Sequence, residues 1–166
     1  MTGLLDPPTT VGTLVETRPA GPADVTAVRA FLGRLSADSR YQRFFTGIGT
    51  PSEAFVRRFV EVDHDRRETV LALRCDEVVG MADCARLRDG QTVELGLVVA
   101  DGWQRLGLGP RLAEQVLDLA VARGARTLLV HALAGNARVS RMLRRRWPDR
   151  SPAVEDGTLI WHLPLV

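Results

Sequence analysis

Gln104-Arg105-Leu106-Gly107-Leu108-Gly109-Pro110 lies between an apolar run, Val93 to Ala100, and a long amphipathic stretch, and it holds the spacing best suited to chemistry. Glycines at 107 and 109 permit backbone geometries and close approaches that a Cβ would obstruct. The helix expected directly after them offers unpaired N–H groups and the positive end of its dipole. This is an anion cradle, fit for a phosphate or pyrophosphate. Pro110 suits a first helical turn, where its missing N–H costs little. Arg105 and Arg111 are near enough in sequence to add charge-assisted contacts to the same anion. A purely structural turn would use two glycines in the same way, so both readings stand at this level. A few residues upstream, Glu94 places one carboxylate in the apolar run.

Two other phosphate motifs fit poorly. A P-loop ends in Gly-Lys-Ser/Thr, and every one of the 22 basic residues here is arginine. The dinucleotide fingerprint needs three glycines opening a parallel βαβ unit near the first strand. Here the turn follows an apparent antiparallel meander.

The elements that must position these residues follow from periodicity. Leu14 to Arg18 is a candidate first strand. Pro22-Ala23-Asp24 starts a helix whose apolar face is Val25, Val28, Phe31, Leu32 and Leu35. Ser36 to Thr50 has aromatic and basic residues without a clean period and is expected to be a partly helical connection beside a cleft. Pro51 and Ser52 open a second helix with Phe55, Val56, Phe59 and Val60 on one side, ending near Asp63-His64-Asp65. Strands are expected over Thr69 to Arg74, Val78 to Arg86 and Thr92 to Ala100, joined by turns at Asp76-Glu77 and Asp89-Gly90. A helix bearing Leu108, Leu112, Val116, Leu119 and Ala120 ends before Gly124. Then come a strand from Thr127 to Ala132, a basic helix from Asn136 to Arg146 stopped by Pro148, and Thr158 to Leu165 as an edge or closing strand. The fold class is α+β: a mixed central sheet with helices on both faces.

The bulk numbers bound the rest. A chain of 166 residues fits one domain with its own core. We read residues 1–13 as a flexible leader and 14–166 as the domain. The net charge of +2 does not by itself indicate nucleic-acid binding. Two cysteines and three scattered histidines make neither a disulfide framework nor a metal constellation, so no metal is expected. With no signal peptide and no apolar run of membrane length in the sequence, no membrane partner is expected and a cytoplasmic location is the default.

Gln104-Arg105-Leu106-Gly107-Leu108-Gly109 resembles the Gln/Arg-x-x-Gly-x-Gly/Ala hallmark of the GCN5-related N-acetyltransferase (GNAT) family, and Glu94-Leu95-Gly96-Leu97-Val98-Val99 resembles its central strand. The resemblance extends over roughly residues 14–165 in element order. Leu35 to Phe45 and Val62-Asp63-His64-Asp65 are similar, more narrowly, to the acetyltransferase domains of bacterial protein lysine acetyltransferases. The resemblance implies a GNAT-like acyl-CoA N-acyltransferase fold with acetyl-CoA as co-substrate. The turn from Arg105 to Pro110, with Gln104, Leu106, Gly107, Leu108 and Gly109, would hold the pyrophosphate. Leu97, Val98 and Val99 would take the pantetheine arm like an added strand, with a bulge expected at Gly96. A backbone N–H near Val98 would polarise the thioester carbonyl, and Asn136 and Arg138 would contact the coenzyme.

The acceptor implied is a primary amine, a protein lysine or a small molecule. An amine resembling free lysine has a pKa of about 10.4 and must lose a proton before attack. Glu94 is the expected general base, since alternation puts it on one face with Gly96 and Val98. A solvated strand residue, or one paired with an arginine, is the competing reading of Glu94. The family's usual tyrosine two turns into the last helix is missing from Ser140-Arg141-Met142-Leu143. Solvent protonation of the leaving thiolate, or help from Ser140, would replace it. His131 reads as a structural histidine and Asp63-His64-Asp65 as a helix terminus, with an acidic rim as the alternative. The run Arg138, Arg141, Arg144, Arg145, Arg146 reads mainly as a solvated face. Tyr41, Arg43 and Phe44 shape the acceptor side or pack under its loop. A homodimer is the family-based expectation for assembly. An acyl-CoA sensor without productive chemistry is the second reading of the whole chain.

Overall fold

The computed structural model describes residues 15–166; the leader assigned to 1–13 and the strand start at Leu14 lie outside them. The chain runs β1 (Glu16–Pro19), α1 (Val25–Arg34), α2 (Ala37–Phe44), α3 (Glu53–Val60), β2 (Arg67–Arg74), β3 (Glu77–Arg86), β4 (Thr92–Val99), α4 (Leu108–Ala122), β5 (Thr127–Leu133), α5 (Ala137–Arg146), β6 (Ala153–Glu155) and β7 (Thr158–Pro164). The strands make one seven-stranded sheet in the order β1-β2-β3-β4-β5-β7-β6. Its pairings are antiparallel except β4 with β5.

Strand alternation divides the core between the two faces. Leu71, Leu73, Val78, Met81 and Val98 meet Val28, Phe31 and Leu32 of α1 and Val56 and Val60 of α3. On the opposite face Val70, Ala72, Ala82, Cys84, Val93, Leu95, Leu128 and Val130 meet Leu108, Leu112, Val116 and Ala120 of α4 and Leu143 of α5. Burying a leucine or valine completely contributes about 1.5–3 kcal/mol, so α4 is held rigidly over the strands. The glycine turn at its start inherits that rigidity.

Four local expectations shift. Helix α3 stops at Val60, before Asp63, because Asp63 turns the chain instead: its Oδ1 accepts from the amides of Asp65, Arg66 and Arg67 at 2.9–3.1 Å. The β2–β3 turn lies at Cys75 and Asp76, both with positive φ. The sheet irregularity falls between Ala72 and Leu73, while β3 and β4 pair continuously through Asp83↔Gly96. Finally, β7 is interior; the short β6 pairs on its far side and forms the edge. That three-residue strand is wholly exposed, so it lacks the apolar pattern by which strands are recognised.

Candidate active site

Strands β4 and β5 pair over only Thr92↔Thr127, Val93↔Leu128 and Glu94↔Leu129, and then part. Beyond Glu94, the β5 side of β4 has no strand partner among the described residues. The opening is part of a cleft of about 1100 Å³ lined by Leu97, Val98 and Val99 on one wall and Val130 to Ala132 on the other. Gln104, Arg105, Gly107, Gly109, Pro110, Asn136 and Arg138 also line it. Ten of the coenzyme-side residues expected from the sequence therefore share one cavity. The side chains of two do not reach it: Leu106 is 49% exposed, and Leu108 is 1% exposed and packed in the core beneath α4. These two contribute to the turn through their backbones.

The turn has the conformation the glycines suggest. Gly107 has φ of +81° and precedes α4 with no side-chain cap, and the first turn of α4 contains no acid. Among the described residues, no acceptor is recorded for the amides of Arg105, Leu106, Gly107, Leu108 or Gly109. A cluster of unspent donors at a helix N-terminus favours an anion. Gly109 has a different reason to be glycine. Its φ is unexceptional, and an added Cβ would stand 3.6 Å from Leu97 Cδ2 and 3.9 Å from Val99 Cγ2. The protein's own packing accepts that carbon; the space it would fill belongs to the cleft. Arg111 turns away, donating to Val15 O and Thr17 Oγ1, so the phosphate contact its sequence position suggested is not formed by this rotamer.

Gln104 is fastened within the protein. Its Nε2 donates to Val99 O at 3.0 Å and to Ser39 Oγ at 3.1 Å, while Oε1 accepts from Arg138. The Ser39 and Ser36 hydroxyls and the Ser36 amide all donate to Asp101. Burial by itself pushes the Asp101 carboxyl upward, but these hydrogen bonds outweigh it and hold the group below the usual carboxylate range. Its contribution to stability is therefore complete above the unfolded value, about 3.9, and disappears as pH falls through the lower folded value. Asp101→Asn is expected to lower the melting temperature at neutral pH, with the difference from wild type closing below about pH 4. A constant difference across that range would show that the charge plays no part.

At the fork itself, Glu94 Oε1 lies 2.9 Å from His131 Nδ1. Next to Glu94 on the same face, Gly96 is roofed by the Arg43–Asp83 ion pair, 2.6 Å. A Cβ on Gly96 would lie 2.7 Å from Asp83 Oδ1 and collide with the Arg43 guanidinium. Glycine is needed there for close approach and not for a bulge. Arg43 stacks on Phe44, 4.7 Å from the ring centroid, and Phe44 meets Phe55 edge-on at 5.4 Å. Arg43 thus lines the cleft, Phe44 packs beneath it, and Tyr41 is exposed.

Asn136 both caps α5, accepting from Val139 N at 3.3 Å, and lines the cleft. Arg141, Arg145 and Arg146 line it too; Arg144 and Arg146 lie over the Trp161 and Trp147 rings. Ser140 Oγ is buried with no partner among the described residues and is not on the cleft wall. His64 bonds Glu68 of β2 at 2.8 Å, so the Asp63-His64-Asp65 cluster is the turn that leads into β2 and not the terminus of α3. The residues that sequence reasoning passed over are His131 as a partner of Glu94, the Arg43–Asp83 pair, and Ser39 with Asp101. Pairing β4 with β5 in parallel would have exposed the first of these, since Glu94 and His131 then fall on one face.

Residues 30–146, well over half of the chain, match the model of the acetyltransferase (GNAT) family. The chain belongs to that family. An acetyltransferase of Pseudomonas aeruginosa is 28% identical over 115 residues, a match covering 67% of this chain and 62% of that protein. The chain therefore spans less than two thirds of that relative. Among solved structures, the GNAT domain of S. lividans PAT superposes with a TM-score of 0.83 at 22% identity, covering 91% of this GNAT chain and 90% of the other. The structure of yncA from Salmonella typhimurium with its cofactor acetyl-CoA gives 0.73 at 20% identity, covering 92% and 94%. At such identities these likenesses establish the acyl-CoA N-acyltransferase fold.

Proposed function

We propose that this protein transfers an acetyl group from acetyl-CoA to a primary amine, by direct attack with Glu94 as general base. The observation that carries the reading is the placement of the Glu94 carboxylate at the fork of β4 and β5. The unspent amides of the glycine turn lie on the same cleft. An acyl-CoA held by its pyrophosphate at the start of α4 would run along the unpartnered edge of β4 toward that fork. Leu97, Val98 and Val99 would flank the arm, with Asn136 and Arg138 on the α5 side. The amine attacks the thioester carbon, Glu94 takes its proton directly or through water, and the C–S bond breaks to release CoA thiolate. Backbone donors fixed in β4 near Val98 are suited to the charge developing on the carbonyl oxygen. Ser140 is not among the residues lining the cleft, which supports departure of CoA as thiolate or its protonation by solvent over a proton from Ser140.

The acceptor is proposed to be a lysine side chain on a protein, with a free small amine as the alternative. The test is acetyl transfer to a panel of lysine peptides and small amines, followed by release of the CoA thiol. Turnover with peptides in preference to small amines is the expected result. Tight binding of acetyl-CoA without transfer to any amine would replace this reading with an acyl-CoA-binding sensor.

A further inference from the structure

We infer that His131 is the positioning residue for Glu94: it fixes one carboxylate oxygen so that the other faces the acceptor amine. This rests on the role proposed for Glu94. The two side chains come from strands that have just parted, and their 2.9 Å bond bridges the fork. Among the described residues, His131 is the hydrogen-bond partner recorded for the Glu94 carboxylate. Across β3 the residue opposite Glu94 is Ala85, and across β7 the residue opposite His131 is Ile160, so neither neighbour competes for the pair. On the same face Arg43 is paired with Asp83 at 2.6 Å, and His162 is exposed on β7 one pair away, opposite Leu129.

The chemistry of the two groups sets the direction of the bond. A carboxylate ion has only lone pairs and can only accept, so Nδ1 must carry the hydrogen. Neutral His131 is therefore held as the Nδ1–H tautomer. A glutamate side chain has freely rotating torsions, and Glu94 is 45% exposed. Without a partner its carboxylate would sample several rotamers, few of them aimed at the fork. Fixing one oxygen removes that freedom before substrate arrives, which is how a positioned base gains over a free one.

A double-mutant cycle separates this role from a general effect on the strand. Acetyl-CoA and a lysine-peptide pool serve as substrates, and CoA thiol release is the readout. His131→Ala is expected to lower kcat about tenfold with the KM for acetyl-CoA unchanged. His131→Asn, whose amide reaches the position of Nδ1–H, is expected to recover most of the loss. In the Glu94→Gln background His131→Ala is expected to have no further effect. An effect of the same size in both backgrounds, or no effect in either, overturns the role of His131 while leaving Glu94 intact. A Glu94→Gln enzyme as fast as wild type overturns the role of Glu94 itself. A second readout needs no turnover: nitrogen-15 NMR of the ligand-free protein in alkaline buffer, with the His131 signal assigned by its loss in His131→Asn. The Nδ1–H tautomer is expected in wild type and the commoner Nε2–H form in Glu94→Ala, which removes the acceptor. Finding Nε2–H in wild type overturns the inference.

Discussion

Valine in place of Gly109 is expected to weaken acetyl-CoA binding at least tenfold, about 1.4 kcal/mol or more, while leaving the protein folded. The position is not constrained by backbone conformation, since positive φ falls on Gly107 and not on Gly109. Nor does internal packing forbid a side chain, because its Cβ would meet Leu97 and Val99 at ordinary contact distances of 3.6 and 3.9 Å. The added methyls would instead occupy the gap between the first turn of α4 and the wall of β4, where the coenzyme is proposed to pass. Gly107→Val is the informative contrast. Nothing lies within 4 Å of a Cβ there, but φ is +81°, so the cost, about 1–3 kcal/mol, is paid in backbone strain and appears as lost stability. Calorimetric titration with acetyl-CoA and thermal melts of both variants distinguish the two mechanisms. A Gly109→Val protein that binds acetyl-CoA as tightly as wild type would remove the cradle from the proposed mechanism.

Glu94→Gln is expected to slow acetyl transfer about 10²- to 10⁴-fold, the usual range for loss of a general base, with acetyl-CoA affinity unchanged. The amide keeps the size of the side chain and its ability to accept from His131 Nδ1, so the fork retains its geometry. What it loses is a site for the amine's proton. Because Glu94 is at the end of the β4–β5 pairing and the unspent amides are in the turn after Gln104, proton transfer and coenzyme binding are separable. Steady-state rates against acceptor concentration, together with binding of acetyl-CoA to the variant, test both halves. A rate within a few-fold of wild type would assign the proton to water alone.

The half of the candidate site built on the glycine turn was legible in the chain because it is local. A glycine turn, a helix start and an apolar strand lie within about twenty consecutive residues, and each is set by rules that act over a few positions: φ freedom, helix N–H groups, two-residue alternation. The same locality made the helices and the meander readable, with boundaries drifting where side chains such as Asp63 bonded back to the chain. Strand β6 escaped because it is exposed on every residue and so has no apolar signature. The position of β7 escaped for a related reason: strand order depends on packing between segments and leaves no period in the sequence.

The other half of the site is not local. Glu94 and His131 are 37 residues apart, Arg43 and Asp83 are 40, and Ser39 and Gln104 are 65. Each pair meets only once the sheet has chosen its neighbours. The amino-acid sequence alone determined the glycine turn ahead of a helix, the strand that leads to it and the face on which Glu94 stands. Tertiary structure decided that Glu94 would have a histidine partner, that Gly96 would lie beneath an ion pair, and that Gln104 would tie the turn to α2 and α5. The physical reason is that backbone geometry is settled between adjacent residues, whereas hydrogen bonds between side chains are settled by which strands lie side by side.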